Sequence, residues 1–502
     1  MQKNVLEYLE NAVEKFPDRI VYQCLSEKLS FEEVFIAAKK LGTLIAKKIN
    51  VMQPIVVISE KNIKTIIGYF GTIYAGCYYI PLSNDLPKAR IKAILDHVRP
   101  AMILIDKKYA DLIDDEDSQS QVFYYIEAEE TEINETELKA RREKQLDNDP
   151  LYVLFTSGSS GTPKGVVTSH RSVISYIDAF AYTFNINSGD IFGNQAPLDY
   201  VAAIRDIFLP LHTGAKTVMI PKSLFSMPQK LFEFVNEKKI TAICWVAAAL
   251  SLCVELDAFK ENTLNTVNKV FFTGSVLPCK HLKKWQENLQ NAMFVNHYGP
   301  TEITASCSYY IVDHLVAETE VLPIGGSFKN EDMFLLGENN KEVPVGEIGE
   351  ICIRGAGLAL GYYGDFEKTA ESFMINPLNK VYPELIYRTG DLGHIDKDGL
   401  MYFNGRNDFQ IKHMGHRVEL GEIESKAASI SKIKRCCCLY YEKKEMIWLF
   451  YVGEIESKEL SIYLREWLPG YMIPRKFMKL NEMPLLSNGK YDINTLKKMM
   501  EA

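Results

Sequence analysis

The stretch of residues 152–167, YVLFTSGSSGTPKGVV, constrains the fold of this chain more than any other stretch. Its first four residues are apolar, which is typical of a buried strand. The next ten residues are mostly glycines and hydroxyl-bearing residues, so little side-chain bulk separates their backbone N–H groups from a bound polyphosphate. Lys164 adds a mobile positive charge, and the spacing does not fit the G-x-x-x-x-G-K-[ST] phosphate loop. We therefore predict a strand followed by a loop that holds a triphosphate, against the alternative of an ordinary Gly/Ser surface loop.

Buried strands alternate with amphipathic helices in the first part of the chain. A capping-box pattern at Ser30–Glu33 precedes apolar residues at helical spacing, and residues 54–58 and 77–82 are apolar enough for buried strands. A helix is predicted between those strands, through Ile66 and Phe70. This alternation predicts an α/β fold with a largely parallel sheet. Because 502 residues exceed what one hydrophobic core usually serves, we expect at least two domains.

Composition excludes several classes of function. A net charge of -8 argues against a nucleic-acid partner, because phosphate backbones call for basic surfaces. No run of 18 apolar residues and no signal-peptide pattern occurs, so we expect a cytoplasmic protein with no membrane partner. The ten cysteines form no C-x-x-C pair, which argues against a zinc site or a disulfide framework. Residues 436–438, three consecutive cysteines, are predicted to be a strand of small apolar residues.

The string TSGSSGTPKG at residues 156–165 resembles the phosphate loop of the adenylate-forming superfamily. This superfamily includes acyl-CoA synthetases, luciferases and the adenylation domains of peptide synthetases, and in length the chain is also similar to stand-alone D-alanine–carrier-protein ligases. The resemblance covers essentially the whole chain. It implies a large N-terminal α/β domain of parallel-rich sheets with helices and a small β-barrel subdomain, residues 1–405. A mobile small α/β domain, residues 406–502, would then carry the catalytic lysine.

Further motifs match the family in its own order and imply an ATP site with Mg²⁺. In Y-G-P-T-E, the ring of Tyr298 would face adenine, Thr301 would donate to a phosphate, and Glu302 would bind Mg²⁺, which prefers hard oxygen ligands. By the same resemblance, Asp391 would hold the ribose hydroxyls and Arg406 would contact the ribose or a phosphate. The implied nucleotide-binding residues are Thr156, Ser157, Gly158, Ser159, Ser160, Gly161, Thr162, Lys164, Tyr298, Gly299, Thr301, Asp391 and Arg406.

Residues 206–211 resemble the helix that forms a wall of the acyl pocket in amino-acid-activating relatives, and they set the register of the residues before them. In that register Val201 replaces the aspartate that pairs with the α-ammonium of the substrate. A buried ammonium without a counter-ion is costly, so the sequence predicts an acid other than an ordinary α-amino acid, unless Asp199 takes that role. The implied acyl-pocket residues are Tyr200, Val201, Ala202, Arg205, Cys244, Phe271, Thr273, Gly274, His297, Ala305 and Ser306.

The side chains of Arg205 and His297 favour a substrate with a polar or anionic group. We expect Arg205 or His297 to bind a polar or anionic group of an acid without the usual α-amine. An aryl acid, a hydroxy acid and a β-amino acid all fit this description. The alternative is that Arg205 points outward on its helix, because arginine is seldom buried without a partner.

The stretch of residues 405–424, GRNDFQIKHMGHRVELGEIE, resembles the crossover between the two domains of the family. Asp408 would be the hinge, and Gly415, which lacks a Cβ, would let a pantetheine arm pass close to the backbone. Near the C-terminus, Lys490 follows an Asn-Gly turn in the S-x-G-K context in which relatives place a lysine that bridges the substrate carboxylate and the α-phosphate. The implied catalytic residues are Lys490, Lys164 and Glu302.

The resemblance implies a ligase that works in two steps. A carboxylate attacks the α-phosphorus of ATP, pyrophosphate leaves, and a thiol then takes the acyl group from the adenylate. Because no carrier domain or phosphopantetheine serine motif follows residue 490, we expect a separate carrier protein that bears the phosphopantetheine. The alternatives are a D-alanine–carrier-protein ligase, an acyl-CoA ligase that uses free CoA, and a non-catalytic protein that keeps only the nucleotide pocket.

Overall fold

The computed structural model describes residues 2–25, 27–114, 121–128, 130–158, 163–260, 262–407, 410–485 and 491–501. Its strands are β1 Ile20–Gln23, β2 Lys28–Ser30, β3 Pro54–Ser59, β4 Tyr78–Ser83, β5 Met102–Ile105, β6 Gln121–Tyr124, β7 Pro150–Thr156, β8 Lys164–Ser169, β9 Ile191–Asn194, β10 Lys216–Met219, β11 Ala242–Val246, β12 Lys269–Thr273, β13 Met293–Tyr298, β14 Ser308–Val312, β15 Gly326–Ser327, β16 Glu331–Leu336, β17 Gly349–Gly355, β18 Gly361–Tyr362, β19 Phe373–Ile375, β20 Leu385–Ile395, β21 Met401–Arg406, β22 Gln410–His413, β23 His416–Glu419, β24 Ile433–Tyr441, β25 Met446–Gly453 and β26 Lys476–Lys479. Its helices are α1 Leu6–Lys15, α2 Phe31–Ala46, α3 Ile63–Tyr74, α4 Lys88–Val98, α5 Glu135–Glu143, α6 His170–Thr183, α7 Ala203–Thr213, α8 Pro228–Glu237, α9 Ala247–Glu255, α10 Cys279–Asn288, α11 Phe366–Ser372, α12 Leu420–Ala428, α13 Ser457–Trp467 and α14 Ile493–Glu501.

Two large sheets form the greater part of the molecule. In the described residues, nine strands form one sheet in the order β15-β14-β13-β12-β11-β9-β10-β1-β2, and its central strands from β13 to β1 run parallel. Seven strands form the other in the order β18-β8-β7-β4-β3-β5-β6, which is parallel from β7 to β6. Helices α2, α3, α6 and α7 contribute to the core that contains residues of both sheets. This arrangement confirms the predicted α/β class.

The predicted phosphate loop connects β7 to β8. The two strands pair antiparallel and end opposite each other, with Thr156 facing Lys164 across the ladder. Gly165 lies where a Cβ would come within 2.8 Å of Val153, so the strand after the loop can pass only without a side chain at this position. The apolar run of residues 152–155 is therefore a strand, as predicted, and it brings both ends of the loop to one edge of the sheet.

Five strands between residues 331 and 406 form a separate antiparallel sheet where the sequence predicts a small β-barrel, whereas β18 in this range joins the seven-stranded sheet. In the described chain its strands follow the order β16-β17-β20-β19, and β21 pairs with β20. The ladder between β20 and β21 places Asp391 opposite Arg406. Two residues that lie 15 positions apart in the sequence are thereby held side by side.

Residues from 410 onward build their own packing. A hairpin of β22 and β23 leads into α12, and β24, β25 and β26 form a three-stranded sheet. Two apolar clusters in this region consist only of residues from 411 to 500. Cys436 and Cys438 lie in one of these clusters and Cys437 in the other, so the predicted cysteine strand has small apolar side chains on both faces of the sheet.

Local sequence signals place several elements correctly. The capping box at Ser30 is present at the start of α2, and the two predicted strands correspond to β3 and β4 with α3 between them. Within the described ranges no helix combines the length and the hydropathy needed to cross a bilayer.

The capping box at the N-terminus of α2 can be tested by mutation of Ser30. Ser30 Oγ accepts a hydrogen bond from the Glu33 backbone N–H at 3.2 Å, and Glu33 Oε2 accepts one from the Ser30 backbone N–H at 2.7 Å. We expect Ser30→Ala to lower the free energy of unfolding by about 1 kcal/mol. Urea denaturation followed by circular dichroism measures the change. Ser30→Thr keeps a hydroxyl, and an equal loss in that variant would contradict the assignment.

Candidate functional site

A cleft of about 1330 Å³ contains the end of the phosphate-loop strand and the start of the Y-G-P-T-E turn. Its walls include Thr156, Ser157 and Thr301 on one side and His416 and Arg417 of the β22–β23 hairpin on the other. The cleft therefore lies where the two large sheets meet the region after residue 410. Three motifs that are far apart in the sequence line this one space.

The described ends of the phosphate loop are held by the hairpin and by α12. Ser157 Oγ donates to the Arg417 carbonyl at 2.8 Å and accepts from the Glu419 N–H at 3.2 Å. Lys164 Nζ lies 3.3 Å from Glu419 Oε1, and Gly158 N–H donates to Glu422 Oε2 at 3.3 Å. Groups that the sequence assigns to phosphate binding thus contact carboxylates and backbone of the hairpin region.

Glu302 is fully buried and forms an ion pair with the hairpin. Arg417 Nη1 donates to both carboxylate oxygens, at 2.9 and 2.8 Å, and the Tyr362 hydroxyl donates to Oε1 at 2.8 Å. Burial by itself would raise the pKa of Glu302, but Arg417 and Tyr362 outweigh it and lower that pKa. The carboxylate is therefore kept ionised and already binds a cation through both oxygens. This donor chemistry fits Mg²⁺, which would take the place of Arg417. Among the described residues, no group of three or more His, Cys, Asp or Glu side chains could hold a metal ion by itself.

The residues assigned to adenosine form one buried cluster. Tyr298 donates from its hydroxyl to Asp391 Oδ2 at 2.5 Å, and Arg406 pairs with Asp391 Oδ1. Arg406 also donates to the Thr389 carbonyl at 3.1 Å. The ammonium of Lys412, on the hairpin, lies 5.5 Å from the centre of the Tyr298 ring. A hairpin cation therefore approaches the ring that the sequence assigns to adenine.

Gly299 and Gly415 are required by close packing. A Cβ on Gly299 would come within 2.5 Å of the Ser306 Cα, so only glycine fits at this turn. Gly415 has φ +81°, and a Cβ there would come within 2.9 Å of Val246. The Tyr200 hydroxyl donates to the Gly415 carbonyl at 2.7 Å. The turn of the hairpin thus lies directly against the predicted acyl-pocket residue Tyr200.

Three of the predicted acyl-pocket side chains lie around Tyr176 of α6. Arg205, Cys244 and Ser306 all interact electrostatically or by hydrogen bonding with Tyr176, and Arg205 in turn acts on His297. Val201 and Ala202 are buried immediately before α7, where Arg205 lies. The remaining predicted pocket residues are Phe271, paired with Cys244 across β11 and β12; Thr273, at the end of β12; Gly274, which faces Val246; and Ala305, which is buried beside Ser306.

Two expectations about this pocket are decided by the structure. The alternative that Arg205 points outward is wrong, because only 1% of its surface is exposed. Asp199 lines the cleft together with Tyr200 and Val201, with the Ser83 backbone, Asp85 and Lys222 as its electrostatic neighbours. Burial raises the pKa of Asp199 to about 6. None of these three electrostatic neighbours belongs to the group around Tyr176.

Several predicted residues lie outside the described part of the chain. They are the loop residues Ser159, Ser160, Gly161 and Thr162, the hinge residue Asp408 and the catalytic candidate Lys490.

The sequence reasoning did not assign a role to Arg417, Glu419, Glu422 or Tyr176. The first three lie inside the quoted 405–424 motif, so their signal was a charged side chain close to Gly415. Tyr176 has no such signal, because it lies in an ordinary amphipathic helix and meets Arg205 only in the folded chain.

Comparison with known proteins shows to which family the chain belongs. Residues 9–363 match the family model described as AMP-binding enzyme. The chain belongs to the AMP-binding enzyme family. The family resemblance inferred from the phosphate loop is therefore confirmed, and the enzymes of this family activate acids through adenylates.

Curated AMP-binding relatives are similar along almost the whole chain. Zwittermicin A synthase ZmaJ of Bacillus cereus is 31% identical, over 99% of this chain and 95% of its own length. Gramicidin S synthase 1 of Brevibacillus brevis is 32% identical over 98% of this chain, which spans 44% of that larger protein. The D-alanine--D-alanyl carrier protein ligase of Bacillus cereus (strain AH187) is 29% identical over 97% of this chain and 98% of its own length.

Solved structures share the fold. The adenylation domain AlmE of Vibrio cholerae, in complex with glycyl-adenosine-5'-phosphate, has a TM-score of 0.84 at 20% identity, covering 100% of this chain and 98% of that one. PA1221, a protein with adenylation and PCP domains, has a TM-score of 0.84 at 21% identity, covering 99% of this chain and 84% of that one.

The ion pair of Glu302 predicts a pH-dependent stability. Its pKa is lowered in the folded state, so its stabilisation is present above the ordinary pKa of glutamate and is lost as the pH falls through the lowered value. Arg417→Met leaves a buried carboxylate without its cation, which costs about 3–5 kcal/mol. We expect a lower melting temperature at pH 7.5, and a smaller difference from wild type at pH 4.

A partly exposed arginine gives the control for this measurement. Arg354 pairs with Asp332 and Glu384 and keeps 41% of its side chain exposed, so Arg354→Met should cost only about 1 kcal/mol. Differential scanning fluorimetry at the two pH values compares the three proteins. If Arg417→Met lowers the melting temperature by the same amount at both pH values, the role assigned to the ion pair is contradicted.

Proposed function

We propose that this enzyme activates a small carboxylic acid as its acyl adenylate and then transfers the acyl group to the phosphopantetheine thiol of a separate carrier protein. The observation that carries the proposal is the convergence on one cleft of the phosphate-loop ends, the Glu302 region and the hairpin that contains Gly415. The family membership supports the adenylate chemistry. Two relatives support an acceptor thiol on a carrier protein. They are Gramicidin S synthase 1, a larger protein of which this chain spans 44%, and the D-alanine--D-alanyl carrier protein ligase.

In the first half-reaction the protein positions ATP and neutralises charge, because phosphoryl chemistry demands little covalent work from an enzyme. Lys164 and the backbone around Ser157 would hold the phosphates once they are released from Glu419 and Arg417. Glu302 would hold Mg²⁺, which supplies charge neutralisation at the leaving pyrophosphate. Asp391 and Tyr298 would hold the ribose and the adenine ring. Each of these groups now has a partner from the hairpin region or from Arg406, so nucleotide binding requires an exchange of partners.

The second half-reaction would use the hairpin as the wall of a thiol channel. Gly415 and Gly274 face each other across Val246, and their lack of side chains leaves backbone along the path. The separate apolar clusters after residue 411 support a small domain, residues 406–502, that can move relative to residues 1–405. Such a movement would bring Lys490 to the substrate in one half-reaction and remove it in the other.

Pyrophosphate exchange tests the adenylation step. Purified protein with ATP and Mg²⁺ is tested against D- and L-alanine, proline, β-alanine, benzoate, 4-hydroxybenzoate and succinate. We expect exchange with at least one acid and a loss on the order of 10²–10³ in Glu302→Gln, because a charge ligand of the transition state is removed. The exposed variant Glu347→Gln should keep full activity. No exchange with any acid would contradict the proposal.

Lys490 is tested by separating the two half-reactions. We expect Lys490→Ala to reduce adenylate formation by on the order of 10²–10³, while pantetheine still takes the acyl group from preformed adenylate at the wild-type rate. Single-turnover assays measure both rates. The matched control is Lys497→Ala, on the exposed face of α14. Equal loss of both half-reactions would contradict the alternation of domains.

The acceptor is tested with free CoA. Rapid CoA thioester formation that depends on ATP and needs no protein partner would favour the acyl-CoA ligase alternative.

A further inference from the structure

Arg205 is a buried cation with only weak partners. It lies in the first turn of α7, where its guanidinium is 3.4 Å from the Tyr176 hydroxyl and 3.3 Å from the Ala202 carbonyl. Its Nε is 3.5 Å from Asp206 Oδ1 and makes no hydrogen bond among the described residues. All three distances exceed those of a normal charge-assisted hydrogen bond. Within the described part of the chain, no acceptor at the distance of a normal hydrogen bond completes this site.

His297 is a second buried polar group, with the Ser308 backbone as a hydrogen-bonding neighbour. Its ring lies among Phe180 at 5.5 Å, Phe328 at 5.8 Å, Phe184 at 5.4 Å and Phe271 at 5.6 Å between centroids. Within the described chain, neither ring nitrogen makes a hydrogen bond of normal geometry. Burial first, and then the charge of Arg205, lower the pKa of His297 to about 3, so the imidazole is neutral. Leaving such a group unpaired is costly, which points to a ligand.

The positive charge around Arg205 exceeds the single negative charge of Asp206. Asp206 is the counter-ion of Arg205, and it also attracts Lys61. Lys61 donates to the carbonyls of Asn194, Gln195 and Ile220 at 3.1, 2.9 and 2.8 Å. Burial lowers the pKa of Lys61 to about 7, so its ammonium is only partly populated near neutral pH. The full charge of Arg205 and the partial charge of Lys61 therefore act on one carboxylate.

Among the described neighbours of Arg205, the one carboxylate is Asp206, which is already paired with Arg205. Val201, at the position that the sequence assigns to the substrate amine, is buried and uncharged, and Asp199 lines the cleft beside it with a pKa that burial raises to about 6. Cys244 faces Arg205, but burial raises the pKa of its thiol to about 12, so it supplies no negative charge at neutral pH. The pocket accordingly favours a negatively charged group and disfavours an ammonium.

We propose that the acid activated by this enzyme is a small dicarboxylic acid without an α-amino group, whose second carboxylate is bound by Arg205 and His297. This inference rests on the proposed function, since it assigns the substrate of the same site. Arg205 donates to the second carboxylate from Nε, and His297 donates from one ring nitrogen. A neutral hydroxyl would also accept these hydrogen bonds, but it would leave the excess positive charge without a partner.

A pair of isosteric acids tests the charge requirement. Pyrophosphate exchange with the full-length enzyme, ATP and Mg²⁺ compares malonate, succinate and glutarate with their monoamides, with butyrate, 4-hydroxybutyrate, 4-hydroxybenzoate and alanine. We expect the best dicarboxylate to exceed its monoamide by at least about tenfold in kcat/KM, because the monoamide keeps the shape and loses the charge.

The outcomes separate the two proposals. Exchange with alanine, 4-hydroxybenzoate or a monoamide that equals or exceeds exchange with every dicarboxylate overturns this inference and leaves the proposed function intact. No exchange with any acid overturns both.

A matched set of variants locates the recognition. Arg205→Met should raise the KM for the dicarboxylate by about 10²-fold, although the loss of a partner for Asp206 also lowers its stability. His297→Phe avoids this loss of stability, because the apolar ring of phenylalanine replaces the buried polar ring of His297 among aromatic side chains. We expect a melting temperature equal to or above that of wild type, a KM for the dicarboxylate raised by about tenfold, and an unchanged KM for ATP.

The control is Arg435→Met, which removes an exposed arginine from β24 and should change none of these quantities. A His297→Phe enzyme with wild-type KM for the dicarboxylate would overturn the inference.

Discussion

The buried ion pair between Arg417 and Glu302 is the interaction on which the candidate site depends. It joins the hairpin after residue 410 to the turn that follows β13, and it keeps a fully buried carboxylate ionised. Around it, Ser157 and Lys164 bind the backbone and the carboxylate of the same hairpin. Because buried charges are stable only when paired, a movement of the hairpin would leave Glu302 in need of another cation.

The requirement that buried charges be paired applies to the acyl side of the cleft as well, but the outcome there is different. At Glu302 each charge has its partner within the chain, whereas among the described residues Arg205 and Lys61 both act on Asp206. The protein itself pairs the charges on the phosphate side, and the acyl side is where we propose that a negative group of the substrate binds. Tyr200 connects the two, since it precedes α7 and binds the Gly415 carbonyl at the turn of the hairpin.

Much of the fold follows from local patterns. The capping box at Ser30, the apolar run before the phosphate loop and the alternation of strands and helices predict elements that the structure contains. The motifs also predict which residues line the cleft, because Thr156, Ser157 and Thr301 are identified by short strings around them. Such signals succeed because capping, turn chemistry and hydrophobic periodicity depend on neighbours within a few residues.

The sequence by itself determined the α/β class, the family and some of the polar groups that line the cleft, such as Thr156, Ser157 and Thr301. Only the tertiary structure decided that Arg205 points inward to Tyr176 and that Arg417 pairs with Glu302. The physical reason is distance along the chain. The partners of a buried charge come from segments separated by tens to hundreds of residues, and no local pattern records which of them meet.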